Sequence, residues 1–487
     1  MRRHILPLGS VAAVATVVAL TGASSFTATA SSGTSKTLAQ GAYAEAAAAG
    51  KPADVDGDGY EDLTTGAPEA TVKGHVKAGY GALTFGSKSG MSVGRHQGFT
   101  QSRPGVPGTP EAGDKFGSSI ATGDMDGDGY ADLVVGASGE AIGDVEGAGS
   151  VTIIFGSSTG LSSKAIAFHA PTVTAREGFG RRLSLGDFNN DGLQDLATVE
   201  GAKIDVVHGA KNLRSTPSPK ITSHTPPGGG AGTGRFSAGD VDGDGYTDLV
   251  TVAYFDDPAD EGTLGVLRGS KSGLKGTLGK NIGLPFADYN AVVGDVNGDD
   301  KDDVVIDTGF SDGPDDHKLR TFPGTASGLD AAGAEPWKGK PQSGTAEELA
   351  DMDGDGFEDL LIADTSAPDS DGFNNAGALS VLRGSDNWLT GSGAQNLSLD
   401  TKGVAGVAEA NDLFGSALAP ADFNGDGAAD LAVGAQGKWL GTGAVSTVYG
   451  SGEGLTGDGS ILFGPDSFDY PSVKSRFGAA LSVRPGS

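Results

Sequence analysis

The sequence predicts an all-β protein, a seven-bladed β-propeller of four-stranded antiparallel blades. Three observations lead to this prediction. An aspartate-rich segment of nine residues occurs seven times, an apolar run follows each copy, and a second apolar run ending in glycine comes after a variable loop. The copies begin 70, 63, 53, 55, 56 and 71 residues apart. A recurring unit of this size is typical of repeat architectures such as propellers.

The aspartate-rich segments have the pattern of a cation-binding loop. We call them loops 1 to 7; they span residues 54–62, 124–132, 187–195, 240–248, 295–303, 351–359 and 422–430. Each carries oxygen-bearing side chains at positions 1, 3, 5 and 9, usually with glycine at position 6. Alternate oxygens on a tight turn suit a hard cation with about 6–8 oxygen ligands, which favours Ca²⁺ over Zn²⁺.

The predicted ligands are the side chains at positions 1, 3, 5 and 9 and the backbone carbonyl at position 7. In chain order they are Asp54, Asp56, Asp58, Tyr60, Asp62; Asp124, Asp126, Asp128, Tyr130, Asp132; Asp187, Asn189, Asp191, Leu193, Asp195; Asp240, Asp242, Asp244, Tyr246, Asp248; Asp295, Asn297, Asp299, Lys301, Asp303; Asp351, Asp353, Asp355, Phe357, Asp359; and Asp422, Asn424, Asp426, Ala428, Asp430. We expect up to seven Ca²⁺ ions with a structural role.

Three features refine this prediction. An EF-hand would need a bidentate Glu at position 12 and flanking helices, but position 12 is Thr, Val or Ile in every copy and falls in a predicted strand. Asn at position 3 of loops 3, 5 and 7 keeps an oxygen but removes a charge, which predicts weaker binding there. In loop 5, Asp300 stands where glycine is preferred, and Asp tolerates a positive φ better than most residues.

The segments around each loop predict the four strands of a blade. The apolar run after the loop is typical of a buried strand, and the second run ends in glycine before a tight turn and a more polar outer strand. A further strand precedes the loop and opens with Phe-Gly at Phe116, Phe179 and Phe414. In the fourth blade only an apolar position of this strand persists, with Phe236 aligned to Ile120.

The chain ends with such a first strand, residues 477–483, and no loop follows it. Loop 1 has no Phe-Gly strand before it. We therefore expect the C-terminal strand to complete the first blade and to close the ring, which removes an exposed sheet edge. The alternative is that residues 45–53 form this strand, but Pro52 and the alanine run count against it.

The N-terminal residues 1–30 have the pattern of a secretory signal peptide, with Arg2 and Arg3 before an apolar run. Residues 31–52 form a low-complexity linker, and residues 53–487 form the propeller. We expect a secreted, extracellular monomer with no membrane span in the mature chain.

Composition supports the same conclusions. The net charge of −29 at pH 7 argues against nucleic acid as a partner, and the absence of cysteine excludes thiolate metal sites, a cysteine nucleophile and disulfides. An exported protein without disulfides needs another stabilising element, and calcium is the natural candidate.

Phe-Gly, the loop pattern D-x-D-x-D-G-x-x-D and then Gly66-Ala67-Pro68 resemble FG-GAP repeats, as in the N-terminal propeller of integrin α-subunits and its bacterial secreted relatives. The resemblance covers about residues 53–487. The Phe-Gly and Gly-Ala-Pro motifs are degenerate in the middle blades, whereas the aspartate loop motif is specific. It implies a seven-bladed propeller, calcium between the first and second strands of each blade, and adhesion or ligand binding on the opposite face.

Candidates for catalysis are weak, and we do not expect an enzyme. Residues 156–160 match G-x-S-x-G around Ser158, but the equivalent residues 86–90 and 269–273 indicate an ordinary turn. The glycine-rich residues 228–234 lack the lysine of a P-loop, and the cluster Asp312, Asp315 and Asp316 suggests a solvated loop. Two alternatives stay open: an exported phospholipase-like or esterase-like hydrolase or its accessory domain, and a glycan-binding lectin.

We expect an extracellular protein or glycan ligand on the face opposite the aspartate loops. Loops after the second and fourth strands of each blade share that face, and function tends to lie on such variable loops. We expect the aromatic residues on these loops to be exposed, and they are the candidate contacts: Tyr254, Phe255, Phe373, Trp439, Phe468 and Tyr470.

Overall fold

The computed structural model describes residues 51–216, 218–229, 232–254, 262–284, 289–308, 319–333, 335–336, 344–369, 371–482 and 485. The predicted signal peptide, residues 1–30, and all but the last two residues of the predicted linker lie outside them. Phe255 and the cluster Asp312, Asp315 and Asp316 also lie outside the described residues.

The described strands form seven four-stranded antiparallel sheets, as the repeats predict. Blade 1 contains β1 (Leu63–Ala67), β2 (Tyr80–Thr84), β3 (His96–Phe99) and β28 (Ala480–Leu481). Blade 2 contains β4 (Phe116–Gly123), β5 (Asp132–Ala137), β6 (Ser150–Ile154) and β7 (Ala165–Phe168). Blade 3 contains β8 (Leu183–Gly186), β9 (Asp195–Glu200), β10 (Lys203–Val207) and β11 (Ile221–His224). Blade 4 contains β12 (Gly232–Gly239), β13 (Asp248–Tyr254), β14 (Gly262–Leu267) and β15 (Thr277–Leu284).

The remaining blades repeat this order. Blade 5 contains β16 (Tyr289–Gly294), β17 (Asp303–Thr308), β18 (Arg320–Phe322) and β19 (Glu335–Pro336). Blade 6 contains β20 (Ala346–Ala350), β21 (Asp359–Asp364), β22 (Ala378–Arg383) and β23 (Thr390–Leu397). Blade 7 contains β24 (Phe414–Ala421), β25 (Asp430–Ala435), β26 (Ala444–Val448) and β27 (Leu462–Phe463). Helical structure in the described residues is limited to short turns at Leu213–Ser215, Pro465–Phe468 and α1 (Lys438–Gly441).

The predicted alignment of the blurred fourth blade is confirmed by the strand register. Ile120 pairs with Val135 in blade 2, and Phe236 pairs with Thr251 in blade 4. Val135 and Thr251 are both position 12 of their loops, so the two first strands have the same register. Position 12 lies within the second strand of each blade, which contradicts the flanking helix of an EF-hand.

The hydrophobic core lies between blades. Each cluster of buried apolar residues combines side chains from two adjacent blades, so that both faces of a blade are covered. In β5, for example, all six residues are buried, Val134 in the cluster shared with blade 3 and Val135 in the cluster shared with blade 1. Burial on both faces explains why the second strands are continuous apolar runs and not alternating ones.

The C-terminal strand closes the ring, as predicted. β28 pairs with β1 through Thr65 and Leu481 and through Gly66 and Ala480. The backbone N–H of Ser482 donates to the Thr64 carbonyl at 2.9 Å, and Phe477 is fully buried between blades 7 and 1. The last strand of the described chain therefore lies in the same sheet as its first three strands, in blade 1.

The Phe-Gly and Gly-Ala dipeptides of neighbouring blades pack against each other at the interfaces between blades. Gly117 of the Phe-Gly pair has a φ of +85°, and it packs on Gly66 of blade 1; a Cβ on Gly66 would lie 2.2 Å from the Gly117 carbonyl oxygen. The same contact joins Gly136 to Gly180 and Gly434 to Gly478. The backbones therefore approach too closely for any side chain at either position.

No helix among the described residues is both long and apolar enough to cross a membrane. Because successive strands are antiparallel, the turns of each blade alternate between two faces. The aspartate loops and the turns after the third strands share one face, which we call the loop face. The turns after the second strands and the connections between blades share the other, which we call the opposite face.

Candidate metal centres

The carboxylate at position 1 shapes each aspartate loop. In loop 1, Asp54 Oδ1 accepts hydrogen bonds from the N–H groups of Gly57 (2.6 Å) and Asp58 (3.2 Å), and Oδ2 accepts one from Gly59 (2.8 Å). Gly57 and Gly59 have φ values of 72° and 93°, which turn the chain back around the carboxylate. Asp300 of loop 5 adopts a φ of 64°, in keeping with its position 6.

The carboxylate at position 9 ties the loop to the end of the third strand. Asp62 Oδ2 accepts a hydrogen bond from the N–H of Val55 in its own loop, and Oδ1 accepts one from the N–H of Gly86; both are 3.0 Å long. The equivalent glycines bond to position 9 in the other six loops: Gly156, Gly209, Gly269, Gly324, Gly384 and Gly450. The glycine that ends each third strand is thus part of the loop, which sequence analysis missed, although this glycine recurs in every blade.

Four loops bring three carboxylates within bonding distance of one ion. The carboxylates at positions 1, 3 and 5 of loops 1 and 6, and those at positions 1, 3 and 9 of loops 2 and 4, offer oxygens within 4.8 Å of one another; in loop 1 they are Asp54, Asp56 and Asp58. The trios of loops 2, 4 and 6 are Asp124, Asp126 and Asp132; Asp240, Asp242 and Asp248; and Asp351, Asp353 and Asp355. These are the four loops with Asp at position 3.

The three remaining loops have Asn at position 3, and its amide bonds to position 9. Asn297 Nδ2 donates to Asp303 Oδ2 at 2.7 Å, Asn424 Nδ2 donates to Asp430 Oδ1 at 3.2 Å, and Asn189 Nδ2 donates to Asp195 Oδ2 at 3.3 Å. In these loops a neutral donor lies where the other four have a carboxylate.

The position 9 carboxylates are buried, and in four of the seven loops no described Arg, Lys or His side chain lies within ion-pair distance of them. Burial raises the pKa of Asp62 to about 8, and it raises the pKa values of Asp248, Asp303, Asp359 and Asp430 to about 7. Asp248 Oδ2 and Asp430 Oδ2 have no hydrogen-bond partner, and both residues are fully buried. Buried, unpaired carboxylate oxygens are costly unless they coordinate a cation, so the donor set fits a hard divalent ion.

Hydrogen bonds join successive loops into a circle on the loop face. The N–H at position 8 donates to the carbonyl at position 1 of the preceding loop, as in Ala131 to Asp54 at 2.9 Å. The same bond occurs at every junction, and Glu61 to Asp422 at 3.2 Å connects loop 1 to loop 7. The seven candidate sites are therefore parts of one bonded ring.

Other candidates from the sequence have ordinary structural surroundings. Ser158 lies in the turn between β6 and β7, where Ser157 Oγ donates to the Gly160 carbonyl at 2.7 Å. The corresponding bond in the equivalent turn, from Ser270 to Gly273, is also 2.7 Å long. The described residues around Ser158 thus form the same turn as in another blade.

The aromatic candidates on the opposite face divide into two groups. Phe373 and Trp439 are exposed, as predicted. The expectation that Phe468 is exposed is wrong: it is buried in an aromatic cluster with His96, Phe463 and Phe477. Tyr470 is half-buried and packs edge-on against Tyr80 in the same region, and the Tyr254 side chain is outside the described part of the structure.

Comparison with protein-family models identifies the repeats. The FG-GAP repeat model matches residues 48–83, 116–154 and 414–449, and an FG-GAP-like repeat model matches residues 148–251. The three segments that match the FG-GAP repeat model lie in blades 1, 2 and 7, in which both the Phe-Gly and the Gly-Ala motifs are intact.

Curated relatives are similar over part of their length. Phosphatidylinositol-glycan-specific phospholipase D of Rattus norvegicus is 32% identical over 158 residues, which is 29% of this chain and 19% of the relative. Integrin alpha-PS5 of Drosophila melanogaster is 32% identical over 154 residues (29% and 15%), and human integrin alpha-IIb is 32% identical over 154 residues (28% and 15%). The similarity thus spans less than a fifth of each of these relatives.

A solved structure supports the architecture. A lectin from Agrocybe aegerita, described for specific recognition of non-reducing terminal N-acetylglucosamine, superposes with a TM-score of 0.50 at 14% identity. The match covers 86% of this chain and 94% of the lectin. At this identity the likeness concerns the fold alone. The blade topology, the loop geometry and the repeat models together identify this chain as a seven-bladed β-propeller that carries FG-GAP repeats.

Proposed function

We propose that this protein is a secreted, calcium-stabilised binding or adhesion module whose ligand contacts the opposite face of the propeller. The observation that carries the proposal is the distribution of exposed apolar side chains. The exposed large hydrophobic residues of the described chain all lie on the opposite face, in blades 6, 7 and 1: Val76, Phe373, Val407, Trp439, Leu440 and Val473.

These residues belong to loops that are bonded to one another. Lys438 Nζ donates to the Val407 carbonyl at 2.6 Å, and Ser475 Oγ donates to the Thr442 carbonyl at 2.7 Å. The Ser475 carbonyl in turn accepts a bond from the N–H of Glu69 at 3.3 Å. These bonds hold the segments of neighbouring blades that carry the exposed residues against one another, and a concentration of exposed apolar groups is typical of interaction sites.

The turn that carries Trp439 and Leu440 is held in a strained conformation. Their φ values are 51° and 62°, in the left-handed region that bulky residues avoid, and Leu440 is 95% exposed. Buried Lys438 fixes the turn through Asp412 and Glu409, each 2.8 Å away. Strain that is maintained to expose apolar side chains is characteristic of binding sites.

Calcium in the aspartate loops has a structural role in this proposal. Extracellular calcium modules have Kd values of roughly 10⁻⁴–10⁻³ M. At ~1 mM Ca²⁺ and a Kd of ~10⁻⁴ M, one site contributes about 1.4 kcal/mol. Seven such sites contribute on the order of 10 kcal/mol, which is comparable to the whole stability of an ordinary domain.

The test combines stability with binding. The melting temperatures of the full chain in 1 mM Ca²⁺ and in excess chelator are expected to differ by about 10 °C, since seven sites contribute on the order of 10 kcal/mol. An unchanged melting temperature would contradict the structural role of calcium.

Binding is then measured on glycan arrays and by pull-down from cell-envelope material, with the double variant Trp439→Ser/Leu440→Ser beside the wild type. Lys271→Ser, an exposed residue on the loop face, serves as the matched control. We expect the double variant to lose at least tenfold in affinity and the control to keep it. Equal binding by all three proteins would contradict the proposed surface.

Two other functions are outcomes of the same tests. Glycan-specific binding that depends on Trp439 would favour the lectin alternative, in which an exposed aromatic ring stacks on a sugar. Turnover of a phosphodiester or ester by the purified chain would favour the hydrolase alternative, to which the similarity with a phospholipase also draws attention.

A further inference from the structure

An arginine guanidinium contacts the position 3 carboxylate in four of the seven loops. Arg95 contacts Asp56, Arg214 contacts Asp126, Arg268 contacts Asp242 and Arg383 contacts Asp353. Each guanidinium also reaches a second carboxylate of its loop: Arg95 Nη1 lies 3.0 Å from Asp58 and Arg268 Nη2 lies 2.7 Å from Asp244. Arg383 Nη1 lies 3.4 Å from Asp359, and Arg214 pairs with Asp128.

The arginine is present where position 3 is Asp and is replaced where position 3 is Asn. Loops 1, 2, 4 and 6 have both the Asp and the arginine contact. Loops 3, 5 and 7 have Asn, whose amide bonds to position 9 instead. In these three loops the described cations that reach the ligand carboxylates contact other positions: Lys301 contacts Asp299 at position 5, and Lys51 contacts Asp422 at position 1.

The four arginines come from different places in the sequence. Arg268 and Arg383 directly precede the glycine that ends the third strand, a place taken by His208, Pro323 and Tyr449 in loops 3, 5 and 7. Loops 1 and 2 have Phe85 and Phe155 there, and Arg95 and Arg214 lie over those rings at 4.1 and 5.0 Å from the ring centres. Arg214 reaches loop 2 from the turn between β10 and β11 of blade 3.

Electrostatics explains why the two features occur together. Carboxylates at positions 3 and 9 are close, and like charges that are buried together destabilise the fold. This repulsion is reduced in two ways. Asn at position 3 removes one negative charge from the loop, and an Arg beside Asp at position 3 adds one positive charge. Counting the ligand carboxylates and the Arg or Lys side chains that contact them, a loop with Asp at position 3 carries 4 − 1 = 3 negative charges, loop 3 also carries 3, and loops 5 and 7 carry 3 − 1 = 2.

We propose that these four arginines are internal counter-cations that compete with the divalent ion for the oxygens at positions 3 and 5. The proposal rests on the proposed calcium-binding role of the loops. Asp56 Oδ1 has no hydrogen-bond partner although Asp56 is 95% buried, so the arginine alone does not satisfy this carboxylate. Binding of the ion is then an exchange in which the guanidinium withdraws from the oxygens that the ion takes.

The competition weakens an expectation drawn from carboxylate counts. The four loops with an extra Asp gain less affinity than that count implies, because the arginine offsets the extra charge. Removing the arginine raises the affinity of its own loop. By Coulomb's law at the dielectric constant of water, a single positive charge about 6 Å from a divalent ion lowers the affinity for that ion by about tenfold.

Loop 4 offers a direct measurement, because Tyr246 at position 7 can sensitise the luminescence of bound Tb³⁺, a stand-in for Ca²⁺. In the full chain with Tyr60→Phe and Tyr130→Phe, the signal lost on adding Asp244→Ala, which removes the position 5 ligand, belongs to loop 4. Displacement of this Tb³⁺ by Ca²⁺ is titrated for the parent and for Arg268→Gln, Arg268→Lys, Asp242→Asn and the double variant Arg268→Gln/Asp242→Asn.

We expect Arg268→Gln to bind Ca²⁺ about tenfold more tightly, Arg268→Lys to stay within about threefold of the parent, and Asp242→Asn to bind about tenfold more weakly. The double variant is expected to return close to the parent value. Arg95→Gln repeats the measurement in loop 1, where the ring of Tyr130 lies against Gly57. It is read out in a chain with Tyr60→Phe and Tyr246→Phe, as the signal lost on adding Asp58→Ala. Arg320→Gln, an exposed arginine in blade 5, is the charge-matched control and is expected to change nothing.

Thermal unfolding provides a readout that a purely structural arginine would not give. Arg268→Gln is expected to lower the melting temperature in chelator, because the carboxylates lose their counter-ion, and to increase the rise in melting temperature on adding Ca²⁺. Unchanged or weaker Ca²⁺ binding by both Arg268→Gln and Arg95→Gln would overturn the proposal. A parent protein that binds neither Tb³⁺ nor Ca²⁺ would instead overturn the calcium-binding role itself.

Discussion

The aspartates at positions 5 and 9 of one loop have the same chemistry and different tasks. Asp132 at position 9 is fully buried and accepts backbone hydrogen bonds from Met125 and Gly156, both 3.0 Å long. Asp128 at position 5 is exposed and accepts a bond from the N–H of Tyr130 within the loop. Position 9 therefore belongs to the fold as well as to the candidate ion site, whereas position 5 belongs mainly to the ion site.

This difference predicts different behaviour without calcium. In excess chelator at pH 5, where burial raises the pKa of Asp132 enough to keep its carboxyl neutral, Asp132→Ala is expected to lower the free energy of unfolding by about 2–6 kcal/mol, because two buried N–H donors lose their acceptor at about 1–3 kcal/mol each. Asp128→Ala is expected to cost less than about 1 kcal/mol under the same conditions. Denaturant unfolding of the two variants and the wild type measures both values, and similar losses would contradict the division of tasks.

The ligand positions could be predicted because the seven copies align with one another and leave little choice of oxygen donors. The arginines could not be found in this way. Arg95 and Arg214 occupy non-equivalent positions in the repeat, and Arg214 acts on the loop of the preceding blade. Only Arg268 and Arg383 share a place in the alignment, immediately before a glycine that recurs in every blade.

At the scale of strands, the Gly-Ala dipeptide of one blade and the Phe-Gly dipeptide of the next blade form one packing contact. Where a blade has Gly at the second-strand position, as at Gly66, Gly136 and Gly434, the next blade has the Phe-Gly glycine packed against it. Blades 3 and 4 have Val199 and Val252 at that position, and the blade that follows each of them lacks the Phe-Gly word. At these two interfaces the blurred repeats therefore reflect paired replacement, whereas Ala363 of blade 6 packs directly on the Phe-Gly glycine Gly415 of blade 7.

The last strand has a predicted effect that can be tested by truncation. Removing residues 477–487 takes away β28 and Phe477, exposes the edge of β1, and removes an aromatic ring from the core between blades 7 and 1. We expect a melting temperature lower by at least about 10 °C and concentration-dependent association through the open edge. Removing only residues 483–487, which follow the paired segment, is the control and is expected to leave both properties unchanged. Sedimentation or light scattering measures the association, and a monomeric, stable 477–487 deletion would contradict the importance of this strand.

At the scale of the whole molecule, the position 9 carboxylates make stability depend on pH in opposite ways with and without calcium. Their pKa values in the folded chain without an ion are raised to about 7 or 8 by burial, for Asp62, Asp248, Asp303, Asp359 and Asp430, whereas an unfolded Asp has a pKa of about 3.9. Between these values the folded state binds more protons than the unfolded state, so stability falls as pH rises.

We therefore expect the chelated protein to be more stable at pH 5 than at pH 8, with most of the loss between about pH 4 and 8. In saturating Ca²⁺ the order reverses, because the ion binds the deprotonated carboxylates and competes with protons at low pH. Melting temperatures in the two conditions, measured across this pH range, test the prediction. Parallel curves with and without calcium would contradict it.

The closure of the ring also has a consequence for how the chain is made. The N–H of Thr64 in blade 1 and the hydroxyl of Ser482 that it contacts are 418 residues apart in sequence. A ribosome releases the inner edge of the first blade long before its partner strand exists, so blade 1 waits with an unpaired edge until β28 emerges. The circle can close only after β28 has been made, which leaves the ring open while the intervening blades are synthesised.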